Sequence, residues 1–336
     1  MTKFGVNKQQ NQQFVKWGII GCGNVTELKS GPAFNKVPNS SLIAVMRRDE
    51  LLVKDYAQRH QVPKWYTDAD ALINDPDINA IYIATPPRFH EAYAIASMKA
   101  GKSVYVEKPM ALDLKACMRM QEVSQSTGIK LVVAHYRRAL PMFLKVKQLL
   151  SEGTIGTIRT VRIGFMQPDK STKITQTANN WRVDPSMAGA GLFYDLAPHQ
   201  LDLLVYFFGK AINARGMAVN QAGLYSAEDL VTGLALLSNK ILFTGTWCFS
   251  VAEHMVQDDF EIFGSTGKIS FPVFGNQITL ETNEGIVTIP FQHPTHIQQP
   301  MIEKIVAYFL SKGENPCSAM NAMESMQIME SFVYGE

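Results

Sequence analysis

Short apolar runs alternate with helix-like segments over the first 135 residues of this 336-residue chain. The apolar runs, which we predict to be strands, lie at 15–21, 42–46, 64–67, 80–85, 103–107 and 130–135. The segments 87–101 and 111–128 between them are predicted helices. Val- and Ile-rich strands separated by helices are typical of a parallel sheet buried on both faces. The pattern therefore predicts a doubly wound α/β domain over residues 1–135.

The pattern changes after a predicted linking helix at 140–153. Long alternating runs, typical of antiparallel strands, lie at 157–167, 228–239, 240–250 and 253–271, with turn signals at 238–240 and 264–267. A helix is predicted at 191–209, and two closing helices are predicted at 298–313 and 319–335. Residues 136–336 are therefore predicted to form an α+β domain with a mostly antiparallel sheet.

The composition argues against several classes of function. The chain has 32 basic and 30 acidic residues, so its net charge of +2 gives no electrostatic basis for binding nucleic acid or an acidic membrane surface. No apolar run approaches the roughly 20 residues that span a bilayer. Residues 1–16 are polar, lack the apolar region of a signal peptide, and are expected to be a loose tail. The four cysteines have no metal-ligand spacing. We therefore expect a soluble, cytoplasmic protein without a metal.

A glycine-containing turn follows the first predicted strand. It consists of Gly21, Cys22, Gly23, Asn24 and Val25. A dinucleotide-binding fold needs a tight turn here, so that a pyrophosphate can approach the N-terminus of a helix. The third glycine of the usual G-x-G-x-x-G motif is replaced by Thr26, and any turn between a strand and a helix favours glycine. The position of the turn, after the first strand of an α/β pattern, favours a dinucleotide site.

The second predicted strand ends in Arg47 and Arg48. In an NAD-binding fold this position is commonly acidic and bonds the ribose hydroxyls. Guanidinium groups instead attract the 2′-phosphate of NADP and can stack on adenine. We predict NADP as the cofactor. A solvated basic turn is the alternative interpretation, and Asp49 next to the arginines leaves NAD possible.

Four motifs in order resemble the glucose-fructose oxidoreductase/inositol dehydrogenase/rhizopine-catabolism (Gfo/Idh/MocA) family. They are "GIIGCGNV", "YIATPPRFH" at 82–90, "YVEKPMAL" after the fifth strand, and "GAGLFYDLAPHQLDLL" at 189–204. The resemblance covers nearly the whole chain. It implies a Rossmann domain followed by an open, mostly antiparallel sheet, through which the chain would form a homodimer or homotetramer.

The resemblance also implies a role for the Glu107-Lys108-Pro109 sequence, which by itself could be a charged strand end in water. In the family this lysine lies beside the nicotinamide and the reacting hydroxyl. Hydride transfer at a carbinol carbon leaves an oxygen whose proton must move, so a proton donor or acceptor must be held close to it. Strand ends in an open α/β sheet face the ligand crevice. We therefore predict Lys108 to be catalytic, Glu107 to orient it, and Pro109 to stiffen the turn.

Asp195 and His199 are four residues apart, so a helix presents both on one face. Pro198 is best tolerated in a first turn, which predicts that the helix starts near this pair. By themselves, the two residues could be a helix cap and a core histidine. The resemblance implies that both contact substrate and that His199 shares proton transfer with the lysine, for which an ordinary histidine pKa of about 6.5 is suitable.

Further candidates follow from the resemblance or from position. Thr85, Pro86 and His90 follow the fourth strand, where the family contacts the cofactor, although His90 could be an ordinary helix residue. Arg137 and Arg138 follow the sixth strand, near the expected substrate pocket. Trp181 and Arg182 resemble a family element that reaches the cofactor from the second domain. Surface or packing roles are the alternative for these arginines and the tryptophan.

These predictions together indicate an NADP-dependent dehydrogenase or reductase that acts on a sugar, a polyol or a similar cyclic alcohol. A ligand-sensing regulatory protein that keeps the fold and the cofactor is one alternative. The combination of Lys108, Asp195 and His199 argues against it, because a sensor needs no proton donor. A redox-neutral enzyme that retains its cofactor, for example in glycoside cleavage, is the second alternative.

Overall fold

The computed structural model describes residues 13–173 and 180–335. Its first sheet is six-stranded and parallel throughout. The strands are β1 (Val15–Ile20), β2 (Ser40–Met46), β3 (Lys64–Tyr66), β4 (Ala80–Ile83), β5 (Ser103–Val106) and β6 (Leu131–Val133). Their spatial order is β3-β2-β1-β4-β5-β6, which is the Rossmann order. The order reverses beside β1, so the ligand crevice is expected at the ends of β1 and β4. The predicted parallel α/β sheet is confirmed.

Helices cover both faces of this sheet. They are α1 (Asn24–Leu28), α2 (Glu50–Arg59), α3 (Ala69–Ile73), α4 (His90–Lys99) and α5 (Leu114–Thr127), with 3₁₀ segments at Gly31–Asn35, Pro87–Phe89 and Tyr136–Ala139. Asp49, Asp68 and Asp113 begin α2, α3 and α5, because each side chain accepts a backbone N–H from the third residue after it. The expected tail at 1–16 lies mostly outside the described residues.

The second domain is built on an eight-stranded sheet of order β14-β13-β12-β11-β7-β10-β9-β8. Its strands are β7 (Ile158–Met166), β8 (Ala211–Val219), β9 (Leu230–Leu237), β10 (Leu242–Cys248), β11 (Gln257–Gly264), β12 (Gly267–Phe271), β13 (Gln277–Thr282) and β14 (Gly285–Pro290). Its helices are α6 (Pro141–Ser151), α7 (Pro185–Ala188), α8 (Gly191–Phe208), α9 (Gln299–Phe309) and α10 (Ala319–Tyr334), with 3₁₀ segments at Trp181–Val183 and Glu253–Met255. The pair β7–β10 is parallel and the other pairs are antiparallel. The mostly antiparallel sheet is confirmed, although β8, β13 and β14 were not predicted.

Helix α8 packs on one face of this sheet and carries Asp195 and His199. The ring of Phe193 lies 5.1 Å from that of Trp247, and the Trp247 indole donates to Gln200 Oε1 at 2.9 Å. The predicted helix at 191–209 is confirmed as α8, but the prediction that Asp195, Pro198 and His199 lie in its first turn is wrong, since Pro198 is in the helix interior. Pro198 has no N–H for the carbonyl four residues earlier, so the helical ladder is interrupted beside Asp195.

The last part of the chain returns to the first domain. The carbonyl of Cys317 accepts the N–H of Val133 in β6 at 3.0 Å, and Glu330 of α10 accepts the N–H of Leu114 at 2.6 Å. Tyr105 of β5 donates to Gln298, directly before α9, at 2.8 Å. The C-terminal segment therefore contacts the first domain, and α10 also contacts β8 and β9 of the second sheet. The division at 135/136 stays a prediction.

Neither a spanning helix nor a metal cluster was found in the part of the chain that the structure describes. No helix there combines the length and apolar character needed to cross a membrane. In the same residues, no three His, Cys, Asp or Glu side chains are grouped so that they could hold a metal ion.

Candidate active site

A cleft of about 390 Å³ lies at the ends of β1, β2, β4 and β5, and residues 181–195 of the second domain contribute to its wall. The predicted residues that line it are Gly21, Cys22, Gly23, Asn24, Val25, Arg47, Arg48, Thr85, Pro86, Glu107, Lys108, Trp181, Arg182 and Asp195. Met46, Phe89, Tyr93 and Tyr194 also line it and were not predicted. Phe89 and Tyr194 lie inside quoted motifs, so the motifs could have indicated them. His90, Arg137 and His199 are not among the lining residues.

The glycine turn forms an open wall of the cleft. Gly21 has φ +92°, and a Cβ there would lie 2.8 Å from Thr85 Cγ2, so another residue would be strained and crowded. A Cβ at Gly23 would meet no atom closer than 4.0 Å, so the space over this residue is open. Gly23 is the N-cap of α1 and supplies no side chain to bond its first N–H groups. These features fit a dinucleotide pyrophosphate.

Thr26 replaces the third glycine of the motif without opening the structure. It is fully buried, and its hydroxyl donates to the Gly23 carbonyl at 2.8 Å. The Tyr56 hydroxyl donates to the Thr26 carbonyl at 2.9 Å. The position that must be glycine for close packing is Gly31. A Cβ there would collide with the Thr26 carbonyl and the Tyr56 hydroxyl. Threonine at position 26 is therefore compatible with close packing beneath the turn.

Two arginines lie where β2 ends. Arg47 is half-buried, and its Nη1 donates to the Cys22 carbonyl at 3.3 Å. Arg48 is exposed, with its guanidinium carbon 5.8 Å from the centre of the Phe89 ring. The Asp49 carboxylate accepts the Leu52 N–H at 3.0 Å and so caps α2. The positive groups therefore line the cleft, while the neighbouring acid is bound to a helix N-terminus.

Lys108 and Asp195 join the two domains at the cleft. Lys108 Nζ lies 2.8 Å from Asp195 Oδ1 and 2.6 Å from the Asp195 carbonyl. Their side chains are 12% and 18% exposed, so the ion pair is mostly shielded from water. The Lys108–Pro109 peptide bond is cis. Glu107 contacts Lys108 through the backbone N–H, at 3.2 Å, and does not pair with its ammonium. The side-chain partner of Lys108 is therefore Asp195 and not the predicted Glu107.

Asp195 also binds Arg182. Its Oδ2 accepts from Arg182 Nε at 3.1 Å, and the guanidinium carbon lies 4.4 Å from the centre of the Trp181 ring. Burial favours the neutral acid, yet the charges of Lys108 and Arg182 more than offset burial and hold the pKa of Asp195 below its usual value. Asp195 is thus an ionised group that bridges two cations.

His199 lies one helical turn after Asp195 and is 6% exposed. Its ring makes edge contacts with Tyr136 and Phe274, at centroid distances of 5.4 and 5.5 Å. Burial, followed by the positive charge of Lys108, lowers the pKa of His199 well below its ordinary value. The expectation that His199 titrates near neutrality is therefore wrong. Its buried Nδ1 has no hydrogen-bond partner among the described residues, which leaves it available to a ligand.

Three other candidates are bound within the protein. The Nη1 of Arg137 donates to the Val273 carbonyl at 2.6 Å, and Arg138 makes two bonds of 2.8 and 2.7 Å to Asp202. His90 is buried, and its ring nitrogens lie 2.7 Å from the Thr85 carbonyl and 3.0 Å from the Pro109 carbonyl. These contacts favour packing roles for both arginines, and for His90 a role in holding the loops after β4 and β5 together.

The chain matches two family profiles in succession. Residues 15–135 match GFO_IDH_MocA, described as an oxidoreductase family with an NAD-binding Rossmann fold, and residues 143–270 match the GFO/IDH/MocA C-terminal domain. The chain belongs to the Gfo/Idh/MocA family. It is an NAD(P)-dependent oxidoreductase.

Individual relatives agree with this assignment. Oxidoreductase P35 from Formosa agariphila is 44% identical, and the match covers 95% of this chain and 98% of the relative. Trans-1,2-dihydrobenzene-1,2-diol dehydrogenase from Bos taurus is 29% identical over 65% of this chain and 63% of the relative. A levoglucosan dehydrogenase solved with NADH and levoglucosan superposes with a TM-score of 0.83 at 20% identity, covering 95% of this chain and 96% of that one. The last comparison shows a shared fold.

Proposed function

We propose that this oxidoreductase uses NADP to transfer a hydride between the nicotinamide and a carbinol or carbonyl carbon of a sugar, a polyol or a similar cyclic alcohol. The observation that carries the proposal is the Lys108–Asp195 pair, a shielded proton donor at the glycine-lined cleft. A strand end with charges in open water would not require this pairing. The diol dehydrogenase relative, whose name specifies a cyclic diol, supports the substrate class.

Different residues of the cleft would bind different parts of the dinucleotide. The turn from Gly21 to Val25 would hold the pyrophosphate, and Arg47 with Arg48 would hold the 2′-phosphate. Trp181 would contact the cofactor from the second domain. When bound, the nicotinamide supplies or accepts the hydride.

Lys108 would hold the proton that moves with the reaction. In the reductive direction its ammonium donates a proton to the substrate oxygen while the carbonyl carbon receives the hydride, and oxidation reverses both transfers. Asp195, ionised beside Lys108 and Arg182, holds the ammonium in place. His199 would remain a neutral ring that exchanges a hydrogen bond with a substrate hydroxyl.

The test is a measurement of nicotinamide absorbance with purified protein and a panel of sugars, polyols and cyclic diols. We expect turnover with NADP or NADPH and a large loss of turnover in Lys108→Met. Ligand binding without any change in absorbance would favour the regulatory protein. Substrate conversion without net cofactor turnover would favour the redox-neutral enzyme.

We propose that two or more copies associate through the outer face of the second sheet. Leu234 and Leu236 of β9, Leu242 of β10 and Met217 of β8 lie on this face and are 50%, 37%, 47% and 71% exposed. Exposed apolar patches of this kind mark interaction sites. A second copy of the chain would cover them in a homodimer or homotetramer. Light scattering of the purified protein measures the number of copies.

We also propose a cytoplasmic location. The thiols of Cys22, Cys117, Cys248 and Cys317 are all free and buried, which agrees with a reducing compartment. Cell fractionation tests this proposal, and recovery from an oxidising compartment would contradict it.

A further inference from the structure

The carboxylate of Glu107 is fixed in place by three donors. Its Oε1 accepts the Tyr82 hydroxyl at 2.6 Å and the Gln298 amide at 2.7 Å, and its Oε2 accepts the Lys108 backbone N–H at 3.2 Å. Glu107 is 7% exposed, so water cannot readily replace a missing donor. The last of these bonds fixes the peptide from which the Lys108 side chain extends. Glu107 therefore influences Lys108 through the backbone.

Gln298 is held as firmly as the carboxylate that it binds. It is 1% exposed, its Oε1 accepts the Tyr105 hydroxyl at 2.8 Å, and its backbone N–H donates to the Lys29 carbonyl at 3.1 Å. An ionised carboxylate can accept hydrogen bonds and cannot donate them. The amide NH₂ must therefore face Glu107, and the amide oxygen must face Tyr105. The partners thus determine one orientation of the Gln298 side chain.

The segment that carries Gln298 contacts both halves of the proposed active site. Gln298 lies 191 residues after Glu107 in the sequence, directly before α9. Two residues earlier, the His296 ring bonds the Leu28 carbonyl at 2.7 Å, at the end of α1. One C-terminal segment therefore contacts the helix that follows the glycine turn and the turn that carries Lys108.

We propose that Gln298 is a positioning residue for Lys108 that acts through Glu107. This inference rests on the proposed function of Lys108. Without the Gln298 amide, Oε1 of Glu107 would keep only the Tyr82 hydroxyl as a donor. A buried acceptor that loses a donor costs free energy, which favours a new hydrogen bond from another donor nearby. The Lys108 ammonium, carried by the next residue, has three N–H groups, of which two are bonded to Asp195, and is the donor that we expect Glu107 to attract. Its displacement toward Glu107 would separate it from Asp195 and from the substrate oxygen.

The substitution Gln298→Met tests the proposal, because methionine has a similar length and no amide. We expect kcat to fall about ten- to a hundredfold, since small misplacements of a catalytic group have effects of this size. The Kd of the dinucleotide should be unchanged. Gln299→Met is the matched control, because the Gln299 amide contacts Glu303 on α9, and its kcat should equal that of wild type. If Gln298→Met does not fold, Tyr82→Phe is measured instead, because it removes the second hydrogen-bond donor to Glu107 Oε1.

A double-mutant cycle with Glu107→Gln separates positioning from packing. A neutral amide at 107 no longer needs two donors, so Gln298→Met should have little further effect on kcat in that background. Fully additive losses would show that Gln298 acts by packing alone and would overturn the proposal. An unchanged kcat in Gln298→Met would also overturn it.

A measurement that does not depend on turnover keeps this inference separate from the proposed function. The NMR signal of isotopically methylated Lys108, assigned with Lys108→Arg, should shift in Gln298→Met and stay in place in Gln299→Met. A wild-type protein without nicotinamide turnover would contradict the proposed function, while this signal would still decide the role of Gln298. An unshifted signal would refute that role.

Discussion

Replacement of Arg47 by aspartate should change the cofactor preference of this oxidoreductase. Arg47 is half-buried at the cleft, and its 3.3 Å bond to the Cys22 carbonyl is long, so the guanidinium can turn to a phosphate at little loss. A charge-assisted hydrogen bond contributes about 1.5–3 kcal/mol. Since each 1.4 kcal/mol is about tenfold in affinity, Arg47 should favour NADPH over NADH by roughly ten- to a hundredfold.

The neighbouring residues set the limits of this estimate. Arg48 is exposed and screened by water, so we expect it to add about 0–1 kcal/mol. Asp49 would oppose a phosphate if its carboxylate faced the cleft, but it caps α2 through Leu52. Asp49→Ala should therefore lower the free energy of unfolding by about 1 kcal/mol, the usual effect of losing a cap, and leave the cofactor preference unchanged.

The assay is a titration of wild type, Arg47→Asp and Asp49→Ala with NADPH and with NADH. Arg47→Asp removes the phosphate partner, adds repulsion, and offers an acceptor to the ribose hydroxyls, so the preference should move toward NADH. Arg159→Asp, at an exposed position on β7, controls for the change of net charge. A wild type that prefers NADH, or a ratio that Arg47→Asp leaves unchanged, would refute the reasoning.

Four further changes have defined outcomes. Lys108→Ala should lower kcat by roughly 10²–10⁴-fold with nearly intact cofactor binding; turnover within a few-fold of wild type would exclude Lys108 from the mechanism. His199→Asn should lower kcat without altering the pH profile around neutrality, because the wild-type ring is already neutral there; a profile that changes near neutrality contradicts this. Leu234→Arg should yield smaller assemblies in light scattering, and an unchanged mass would exclude this face. The hydrogen bond with Arg59 lowers the pKa of Glu27 to about 2. The stabilisation of the folded state by this carboxylate is therefore complete above the unfolded pKa of 4.5 and is lost as the pH falls toward 2. Glu27→Gln should lower the melting temperature at neutral pH, and the difference from wild type should shrink between pH 4.5 and pH 2.

The parallel sheet could be predicted because its strands are buried on both faces and therefore form continuous apolar runs. Strands β4, β5 and β6 are buried at every position. The strands β8 and β14 are the two edges of the second sheet, and most of their residues are exposed or half-buried. With so little buried surface, β8 and β14 have only a weak apolar periodicity, which is the main signal that predicts a strand.

The site could be predicted where a motif is local and not where partners come from distant segments. The Gly21–Val25 turn and Lys108 each follow a strand whose end must face the crevice. We predicted Glu107 as the partner of Lys108 from its adjacent position, but the side chain of Lys108 pairs with Asp195. The tertiary fold brings Lys108 and Asp195 together, and adjacency in the chain does not indicate this. The low pKa of His199 likewise depends on burial, which spacing within a helix does not report.

The return of the C-terminal segment to the first domain has a consequence for synthesis. The ribosome releases the glycine turn and Lys108 first, whereas Gln298 emerges 191 residues after Glu107, and Cys317, whose carbonyl bonds to β6, emerges later still. A nascent or truncated chain that stops before residue 296 contains all four family motifs, yet it lacks the Cys317 carbonyl that accepts the Val133 N–H of β6 and the Gln298 amide that donates to Glu107. Translation must therefore pass these residues before the first domain has all of its hydrogen-bond partners, and a shorter chain leaves Phe243 and Trp247 without the Phe332 ring that packs near them.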